Sequence, residues 1–343
     1  MSVTLKKIAE LAGVSIGTVD RALHRRDGVN SEVAKRILDI ADTLGYKPNI
    51  MAKALSIKRN PIKIGVVFHV SKNPFYESVV EGVHAATLSL KDFGISVIIK
   101  YGADFDPEDQ LKLIDSLLEE EGVNALAIVP LNDNRIVQKI NELQEKNFPV
   151  VLLVSDLEHT QRLAYIGCDA YKVGRIAGGL TGIVNSGDGT VLYATSHLSM
   201  LGNLQRLNGF RNALEDRYPH MNLKYIREFD NDEILSYKKA VSIFEVSSDI
   251  DIIMIATGSI NGIFQAFSES PLAGKAKIIA LDLACQVYDG LRNSVVTASI
   301  VQHPYTQGYK AIKFLSDYFV YNTAPQQEEC YINCDIKIYE SLF

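Results

Sequence analysis

A short segment in the larger part of the chain carries side chains suited to binding a small polar molecule. The segment Ser71-Lys-Asn-Pro-Phe-Tyr76 follows the apolar run Lys63-Ile-Gly-Val-Val-Phe68. The Phe75 and Tyr76 rings could stack on the apolar face of a sugar ring, while the Asn73 amide can both donate and accept hydrogen bonds. The alternative is a loop whose aromatic side chains only pack against the next helix.

Catalytic and metal-binding residue types show no productive spacing. The seven His and four Cys form neither a metal-ligand pattern nor a nucleophile–base pattern. Cys330 and Cys334 have no His or second cysteine pair near them, so reduced, partly buried thiols are favoured over a metal site. Gly187-Asp-Gly189 is typical of a turn and matches neither a P-loop nor a dinucleotide-binding motif. We therefore predict no enzyme activity, no metal and no cofactor.

A second group of functional side chains lies near the N-terminus, at the start of a short predicted helix. Gly17 and Thr18 follow Ile16 there, and Arg21 stands one turn further on. An arginine at such a position can pair bidentately with guanine in the major groove of DNA. The alternative is a plain helical hairpin that makes no contact with DNA.

Polar residues and a glycine define the ends of the helices that would position these side chains. Thr4 can cap a helix over Leu5–Leu11, and Ser15 can cap a helix over Ile16–Leu23. Gly13 lies between the two helices and gives the backbone the freedom that a tight turn requires.

A third helix completes the N-terminal unit. It is predicted from a Ser31 cap to about Gly45. Leu5, Ile8 and Leu11 share one face of the first helix, which we expect to pack against the other two. Three short helices with a glycine turn between the first two describe a helix-turn-helix, whose second helix enters the major groove.

Charge is unevenly distributed over the 343 residues, of which 47% are apolar and 22% charged. The whole chain has a formal net charge of -6, yet residues 1–60 hold 11 Lys/Arg against 6 Asp/Glu, a net of +5. The remainder holds 24 against 35, a net of -11. A small basic head on an acidic body indicates an anionic partner for the head alone.

The body alternates short apolar strands with amphipathic helical stretches over residues 62–335. Runs such as Ala125-Leu-Ala-Ile-Val129 and Val150-Val-Leu-Leu-Val154 are apolar on both faces, which is typical of parallel strands covered on each side. This alternation predicts doubly wound parallel sheets, most simply two, with ligands at the carboxyl ends of the strands. The expected fold is an all-α helix-turn-helix head followed by an α/β body.

Between head and body, Pro48 opens a short helix candidate over Asn49–Ser56, and the polar segment Lys58–Ile62 is typical of a linker. The candidate helix has too few apolar neighbours to be stable alone and could fold only on DNA. We therefore expect three parts: a DNA-binding domain over 1–47, a hinge helix and linker over 48–60, and an effector-binding and dimerisation domain over 61–343.

The sequence shows no sign of export or of membrane insertion. The N-terminus lacks the apolar core of a signal peptide, and no apolar run approaches the ~20 residues of a membrane span. We therefore expect a cytoplasmic protein without a membrane partner.

The N-terminal residues resemble a known family. The stretch Thr4-Leu-Lys-Lys-Ile-Ala-Glu-Leu-Ala-Gly-Val-Ser-Ile-Gly-Thr-Val-Asp-Arg-Ala-Leu23 is similar to the signature of the lactose-repressor/galactose-repressor (LacI/GalR) family. Leu44-Gly-Tyr-Lys-Pro-Asn49 and Ala52-Lys-Ala-Leu55 continue it in register, and the likeness covers essentially the whole chain. It implies a transcription regulator that binds a near-palindromic operator in double-stranded DNA as a homodimer.

The resemblance also implies a hinge helix in the minor groove, with Leu55 inserted as an apolar wedge at the central base step. The residues that it implies in DNA contacts are Thr4, Ser15, Ile16, Gly17, Thr18, Arg21, Asn30, Ala54 and Leu55. One residue departs from the family pattern, since Asp20 stands where Ser is usual. An acidic residue there could hold the Arg21 guanidinium or repel phosphate.

The body resembles ribose-type periplasmic sugar-binding proteins, whose fold the family's regulatory domain shares. Asn73-Pro-Phe-Tyr76 is similar to their Asn-Pro-Phe-Phe segment, and Gln205-Arg-Leu-Asn-Gly-Phe210 to their Arg-x-x-Gly-Phe segment. The resemblance implies a two-lobed body and a carbohydrate effector. The residues that it implies in effector binding are Asn73, Phe75, Tyr76, Arg206, Asp282 and Gln302.

Other roles stay open for three of these side chains. Arg206 could hold its loop by an ion pair, Asp282 could cap a helix, and Gln302 could make a hinge contact. Part of the usual hydroxyl-binding set is also replaced, by Val154-Ser155-Asp156 and by Ala256-Thr-Gly258. The effector is therefore a sugar, a phosphorylated or acidic derivative, or another small molecule.

Two other functions fit parts of the sequence. Residues 61–335 alone fit a sugar-binding transport protein without DNA activity, and a doubly wound fold also fits a carbohydrate-modifying enzyme. The head argues against the first, and the lack of an acid–base or phosphate motif argues against the second. We expect an effector-controlled regulator, most simply a repressor. We expect a dimer and not a tetramer, because no C-terminal heptad precedes Phe343.

Overall fold

The computed structural model describes residues 3–23, 28–46, 57, 59–71, 73–103, 105–229, 232–321 and 329–343. The head consists of three helices, α1 Leu5–Ala12, α2 Ile16–Leu23 and α3 Ser31–Thr43. Each contributes one fully buried side chain to a common core, and these are Ile8, Val19 and Ile37. The predicted three-helix head is therefore present.

The head helices begin at polar side chains that accept hydrogen bonds from the first turn. Thr4 and Ser15 accept from backbone N–H groups three residues ahead, at 3.3 and 3.1 Å. The cap of α3 is Asn30 and not the predicted Ser31, because Asn30 Oδ1 accepts from the Glu32 N–H at 2.9 Å. Each cap satisfies a backbone donor that has no partner inside its helix.

The prediction for one core residue of the head is wrong. Leu11 is 52% exposed, whereas Ala9 and Ala12 are buried beside Ile8. The buried face of α1 therefore follows the spacing i, i+1, i+4 and not i, i+3, i+6. Small alanine side chains fill that face, so a prediction based on large apolar side chains selected the wrong face of the helix.

The body has two lobes, and the chain builds most of each in turn. Lobe 1 contains β1 Ile62–Phe68, α4 Pro74–Leu90, β2 Ile95–Tyr101, α5 Pro107–Glu119, β3 Ala125–Ile128, α6 Asn134–Glu145, β4 Val150–Leu153 and β5 Ala164–Gly167. Lobe 2 contains α7 Ala170–Val184, β6 Gly189–Thr195, α8 Leu201–Arg217, β7 Met221–Glu228, α9 Glu233–Val246, β8 Ile252–Ala256, α10 Ile260–Ser268, β9 Lys277–Leu281, α11 Cys285–Arg292 and β10 Val296–Val301. The chain then returns to lobe 1 with α12 Pro304–Tyr321 and β11 Glu329–Tyr331, and ends in lobe 2 with β12 Asp335–Lys337.

Each lobe has a six-stranded sheet, in the order β11–β5–β4–β3–β1–β2 in lobe 1 and β12–β10–β9–β8–β6–β7 in lobe 2. The described strand pairs are parallel apart from β12, which runs antiparallel to β10. Every residue of β3, β4 and β8 is buried, which explains why these strands read as unbroken apolar runs. Of the described helices, none combines the length and apolar character needed to cross a membrane.

Several short elements were not expected from the sequence. They are the strands β5, β11 and β12 and the helices α10 and α11. The strands have four residues or three, too few for a periodic pattern. The helices have nine and eight residues, and Gly262 lowers the helix propensity within α10.

The chain passes between the lobes three times, and we call these three segments the hinge. They are residues 168–169 after β5, residues 302–303 after β10, and residues 332–334 between β11 and β12. The first and third segments lie side by side, because the Ile332 N–H donates to the Gly167 carbonyl at 2.8 Å. Carboxyl ends of strands from both lobes face the cleft beside the hinge.

Glycines allow very close helix packing in both lobes, as between α4 and α12 in lobe 1 and between α7 and α8 in lobe 2. A Cβ placed at Gly82 would lie 1.9 Å from the Tyr305 carbonyl oxygen. A Cβ placed at Gly174 would likewise lie 1.9 Å from the Arg206 carbonyl oxygen. Because the opposing atoms are helix backbone, these positions require glycine. The Gly174 contact also sets the position of α8, which carries the Arg206 side chain.

We expect Gly174→Ala to destabilise the protein by ~1–3 kcal/mol or more, because the added methyl group overpacks against the backbone of α8. Gly179→Ala is the matched control, since Gly179 lies in the same helix with nothing within 4 Å of its Cβ position. That variant should gain ~0.5–1 kcal/mol from the higher helix propensity of alanine. Urea unfolding measures both effects, and equal stability of the two variants would contradict the packing argument.

Candidate functional site

A cavity of about 490 Å³ lies between the lobes, beside the hinge. Small-molecule sites typically have volumes of ~300–1,000 Å³. The structure brings all six candidate effector residues to its wall, namely Asn73, Phe75, Tyr76, Arg206, Asp282 and Gln302. They come from lobe 1, from lobe 2 and from the hinge, so the cavity is framed by both lobes together.

The lobe 1 wall is built around the start of α4. Asn73 caps this helix, because its Oδ1 accepts from the Phe75 N–H at 2.9 Å, and Pro74 occupies the first turn. Tyr76 is buried, and its hydroxyl lies 3.4 Å from His69 Nε2. Burial raises the pKa of the Tyr76 phenol far above its usual range. The capped helix therefore fixes the direction of the aromatic side chains, and Phe75 is the less buried of the two rings.

A chain of charge-assisted hydrogen bonds crosses the floor of the cavity. Arg206 Nη2 donates to Gln302 Oε1 at 3.2 Å, and Gln302 Nε2 donates to Asp282 Oδ2 at 2.8 Å. The Gln302 backbone N–H donates to the other Asp282 oxygen at 2.8 Å. The N-cap of α11 is Ala284, without a side-chain cap hydrogen bond, so Asp282 does not cap this helix. Gln302 makes both a hinge contact and contacts with two cavity side chains.

Burial dominates the ionisation of Asp282 and raises its pKa to about 6. The hydrogen bonds from Gln302 and the Arg206 guanidinium act in the opposite direction and partly offset it. Arg206 contacts amide oxygens of Gln302 and Asn203, and no carboxylate of the described residues lies within 4.0 Å of its guanidinium. The predicted alternative, an ion pair that holds its loop, is therefore absent from the described part of the chain.

Backbone with positive φ occurs at three places where a strand has just ended and the chain lines the cavity. Val154 follows β4 with φ 68°, Asp282 follows β9 with φ 59°, and His303 lies just after β10 with φ 55°. Positive φ is unusual outside glycine and most unfavourable for a β-branched residue such as valine. Such conformations persist where the surrounding structure enforces them, which is common at binding sites.

Contacts between the lobes show that the cleft is closed. The rings of Phe105 and His197 have centroids 3.9 Å apart across the cleft. Ser155 Oγ of lobe 1 accepts from the Gly202 N–H of lobe 2 at 3.4 Å. These contacts bring the two lobes together beside the cavity.

Several cavity residues were not among the predicted effector contacts, including His69, Phe105, Asn203, Thr257 and His303. Three of them come directly after strands or at a crossover, so a systematic search of strand ends would have found them. Ser155 also lines the cavity, although the sequence offered it only as a departure from the ribose-type pattern. Its neighbour Asp156 instead pairs with Arg162 at 2.6 Å.

The head presents most of its candidate DNA-contacting residues to solvent. Six of them are exposed, namely Thr4, Ser15, Ile16, Gly17, Arg21 and Asn30, and Thr18 is partly buried. Arg21 Nε donates to the Gly17 carbonyl at 3.3 Å, which holds the guanidinium over the start of α2. The Asp20 carboxylate lies near Tyr46, whose pKa is raised first by burial and then by this charge. Ala54 and Leu55 lie outside the described residues.

Comparison with known families gives two matches. Residues 64–321 match the family described as "Periplasmic binding protein domain". Residues 4–49 match the family described as "Bacterial regulatory proteins, lacI family". The first covers most of the body and the second covers the head, which agrees with the resemblance seen in the sequence.

Individual proteins with similar sequence or structure point the same way. "Catabolite control protein A" of Priestia megaterium is 24% identical over 324 residues, which is 93% of each chain. A glucose-galactose binding protein from Geobacillus stearothermophilus superposes with a TM-score of 0.73 at 22% identity, over 82% of this chain and 99% of that one. A periplasmic solute binding protein from Actinobacillus succinogenes 130z, solved with bound D-allose, has a TM-score of 0.72 at 17% identity, over 81% and 98%. These two structures show the fold of the body.

The raised pKa of Asp282 predicts a pH dependence of stability. Between the usual value of 3.8 and about 6, the folded protein keeps a proton that the unfolded chain has released. The free energy of unfolding should therefore fall as pH rises through this window, with a slope of at most ~1.4 kcal/mol per pH unit. Asp282→Asn keeps an oxygen for the Gln302 N–H and tolerates positive φ, and it should remove this contribution.

Urea unfolding of the wild type and Asp282→Asn at several pH values within the window measures the difference. Parallel stability curves for the two proteins would show that Asp282 ionises at an ordinary pH.

Proposed function

We propose that this chain, whose body belongs to the periplasmic binding protein domain family and whose head matches the lacI family of bacterial regulatory proteins, represses transcription under the control of a small effector. The observation that carries the proposal is the combination of a head whose α2 exposes Arg21 with a cavity between the lobes that gathers six candidate effector residues. We place the DNA-binding domain at 1–47, the hinge helix and linker at 48–60 and the effector domain at 61–343. A DNA regulator acts where the DNA is, so the proposal includes a cytoplasmic location.

The proposed DNA-bound form is a homodimer on a near-palindromic operator. The exposed start of α2 supplies few base contacts from one head, and two linked heads raise the effective concentration at the second half-site. Arg21 would read guanine, while Ile16, Gly17 and Thr18 let the helix approach the base edges. Ala54 and Leu55 would lie in the minor groove at the centre of the operator.

The proposed effector is a sugar or an acidic sugar derivative. Arg206 Nε and Thr257 Oγ1 line the cavity and are buried without a hydrogen-bond partner among the described residues. An unpaired buried donor or acceptor costs ~1–3 kcal/mol, so a ligand with hydroxyl or carboxylate oxygens would be favoured there. The Phe75 ring offers an apolar face beside these polar groups.

Coupling between effector and DNA would pass through the relative position of the lobes. Ile57, at the end of the segment that links head and body, is 5% exposed and packs into the core of lobe 1. Lobe closure would therefore move the point at which each head is attached. By linkage, an effector that changes DNA affinity is itself bound with an affinity that DNA changes by the same factor.

We expect Arg21→Ala to weaken binding to an operator duplex selected from a random library by the wild type. The loss of a bidentate guanine contact is worth ~1–3 kcal/mol, or roughly 5- to 150-fold in affinity. Arg175→Ala removes one positive charge from lobe 2, where Arg175 pairs with Asp216, and should leave operator affinity unchanged. Fluorescence anisotropy titration at fixed salt measures both, and equal affinity of wild type and Arg21→Ala would reject α2 as the reading helix.

A thermal-shift screen against neutral sugars and sugar acids tests the effector. A true effector at 100 times its Kd should stabilise the protein by ~2.7 kcal/mol. Arg206→Ala should lose that stabilisation, whereas Arg217→Ala, an exposed arginine at the end of the same helix, should keep it. If Arg206→Ala loses only the stabilisation by sugar acids, Arg206 binds the carboxylate of the effector. If the effector stabilises Arg206→Ala as much as the wild type, Arg206 does not bind it. Turnover of any sugar by the protein would favour an enzyme.

A further inference from the structure

Two cysteines from distant parts of the sequence meet in the hinge. Cys168 follows β5 in the first hinge segment, and Cys334 precedes β12 in the third. The pairing of Ile332 with Gly167 aligns these two segments. Cys334 packs against the buried cluster that contains Cys168, and both cysteines are free.

The second hinge segment passes directly beside this pair. Cys168 Sγ donates to the Gln302 carbonyl at 3.4 Å, and Gln307 Nε2 donates to the same carbonyl at 2.9 Å. Gln302 is the residue whose side chain joins Arg206 to Asp282 on the cavity floor. The cysteine pair therefore touches all three hinge segments and lies behind the effector cavity.

The two thiols differ in exposure and in acidity. Cys168 is 4% exposed, whereas Cys334 is only partly buried and can meet a solute. The interaction with the neighbouring Cys168 thiol lowers the pKa of Cys334, with a smaller contribution from the Lys172 cation. The interaction with Cys334, together with burial, raises the pKa of Cys168. This is the division between an attacking thiolate and a protonated resolving thiol.

We propose that Cys168 and Cys334 form a redox-sensitive disulfide that locks the hinge. The oxidant is a peroxide. The Cys334 thiolate attacks hydrogen peroxide, the O–O bond breaks, and a sulfenic acid and water form after proton transfer. The Cys168 sulfur then attacks the Cys334 sulfur, and the Cys168 thiol proton passes to the departing hydroxide. The S–O bond breaks and the second water leaves as the S–S bond forms. A cellular dithiol reverses the reaction by thiol–disulfide exchange.

The chemistry of the site favours a disulfide over a metal. Among the described ranges, no group of three His, Cys, Asp or Glu side chains could hold a metal ion. Within the cytoplasm, disulfides are mainly transient and redox-sensing, and such a role suits a regulator. The consequence for gene control rests on the proposed function, but formation of the bond does not.

A disulfide here would tie the first hinge segment to the third on either side of Gln302. Opening and closing of the cleft requires the hinge segments to change their backbone angles. A covalent bond between two of them should restrict that motion and hold the cavity floor in one arrangement. The oxidised protein would then respond less to its effector.

Peptide mapping of the full-length protein after hydrogen peroxide treatment and thiol blocking tests bond formation. We expect a peptide that joins Cys168 to Cys334, while the exposed Cys285 carries the blocking group. Cys285→Ser should form the same cross-link. Cys334→Ser should form none, and Cys168→Ser should instead accumulate a Cys334 sulfenic acid that dimedone traps.

Two outcomes of the mapping would overturn the proposal. One is a Cys334 that reacts no faster than Cys285, and the other is a cross-link that joins Cys334 to Cys330. If Cys168→Ser fails to fold, Cys334→Ser and Cys285→Ser still decide between these outcomes, because their side chains are less buried.

Hydrogen–deuterium exchange tests the lock and requires neither DNA nor effector. Exchange of backbone amides over residues 167–169, 301–303 and 332–334 should slow at least several-fold on oxidation of the wild type. Oxidant-treated Cys334→Ser should show no change. A cross-link without slower exchange would reject the lock. Because these readouts are independent of operator binding, their failure is distinguishable from failure of the proposed function.

Discussion

The arrangement of the body depends on the contacts of Gln302. Its side chain joins the Arg206 guanidinium to the Asp282 carboxylate, and its backbone carbonyl accepts from Cys168 and Gln307. One residue of a hinge segment thus fixes two polar groups in a cavity where neither could be buried alone at low cost. The site and the hinge are coupled, because the side chain of Gln302 belongs to one and its backbone to the other.

The two parallel sheets explain why polar groups collect at this place. Strands such as β3 and β8 are buried along their whole length, so they offer no position for a polar side chain. Polar side chains therefore occur only after such strands end, and neighbouring parallel strands end at the same edge of the sheet. With one sheet in each lobe and the carboxyl ends turned towards the hinge, the edges meet across the cleft. The positive φ angles of Val154 and Asp282 turn the chain sharply at that point.

This geometry also explains what the sequence could predict. Strong signals came from features that act locally: buried strands read as apolar runs, and Thr4, Gly13 and Ser15 mark the turns of the head. The six candidate cavity residues came from a resemblance and from strand ends. The cysteine pair could not be found this way, because residues 168 and 334 meet only through the third crossover, and β11 and β12 are too short to leave a pattern. Leu11 was misplaced because alanines fill the buried face of α1.

Effector binding and thiol oxidation would act on the hinge from opposite sides. A molecule in the cavity reaches Gln302 through Arg206 and Asp282, while a solute outside reaches it through Cys334 and Cys168. Under both proposals effector and oxidant act on one two-state element, the arrangement of the lobes, and linkage then requires that each changes the free energy of the other. Closure that shifts Gln302 also shifts the carbonyl to which the Cys168 thiol donates. Hinge position would therefore be the quantity that effector and oxidant share, and the attachment of Ile57 to lobe 1 would transmit it to the head.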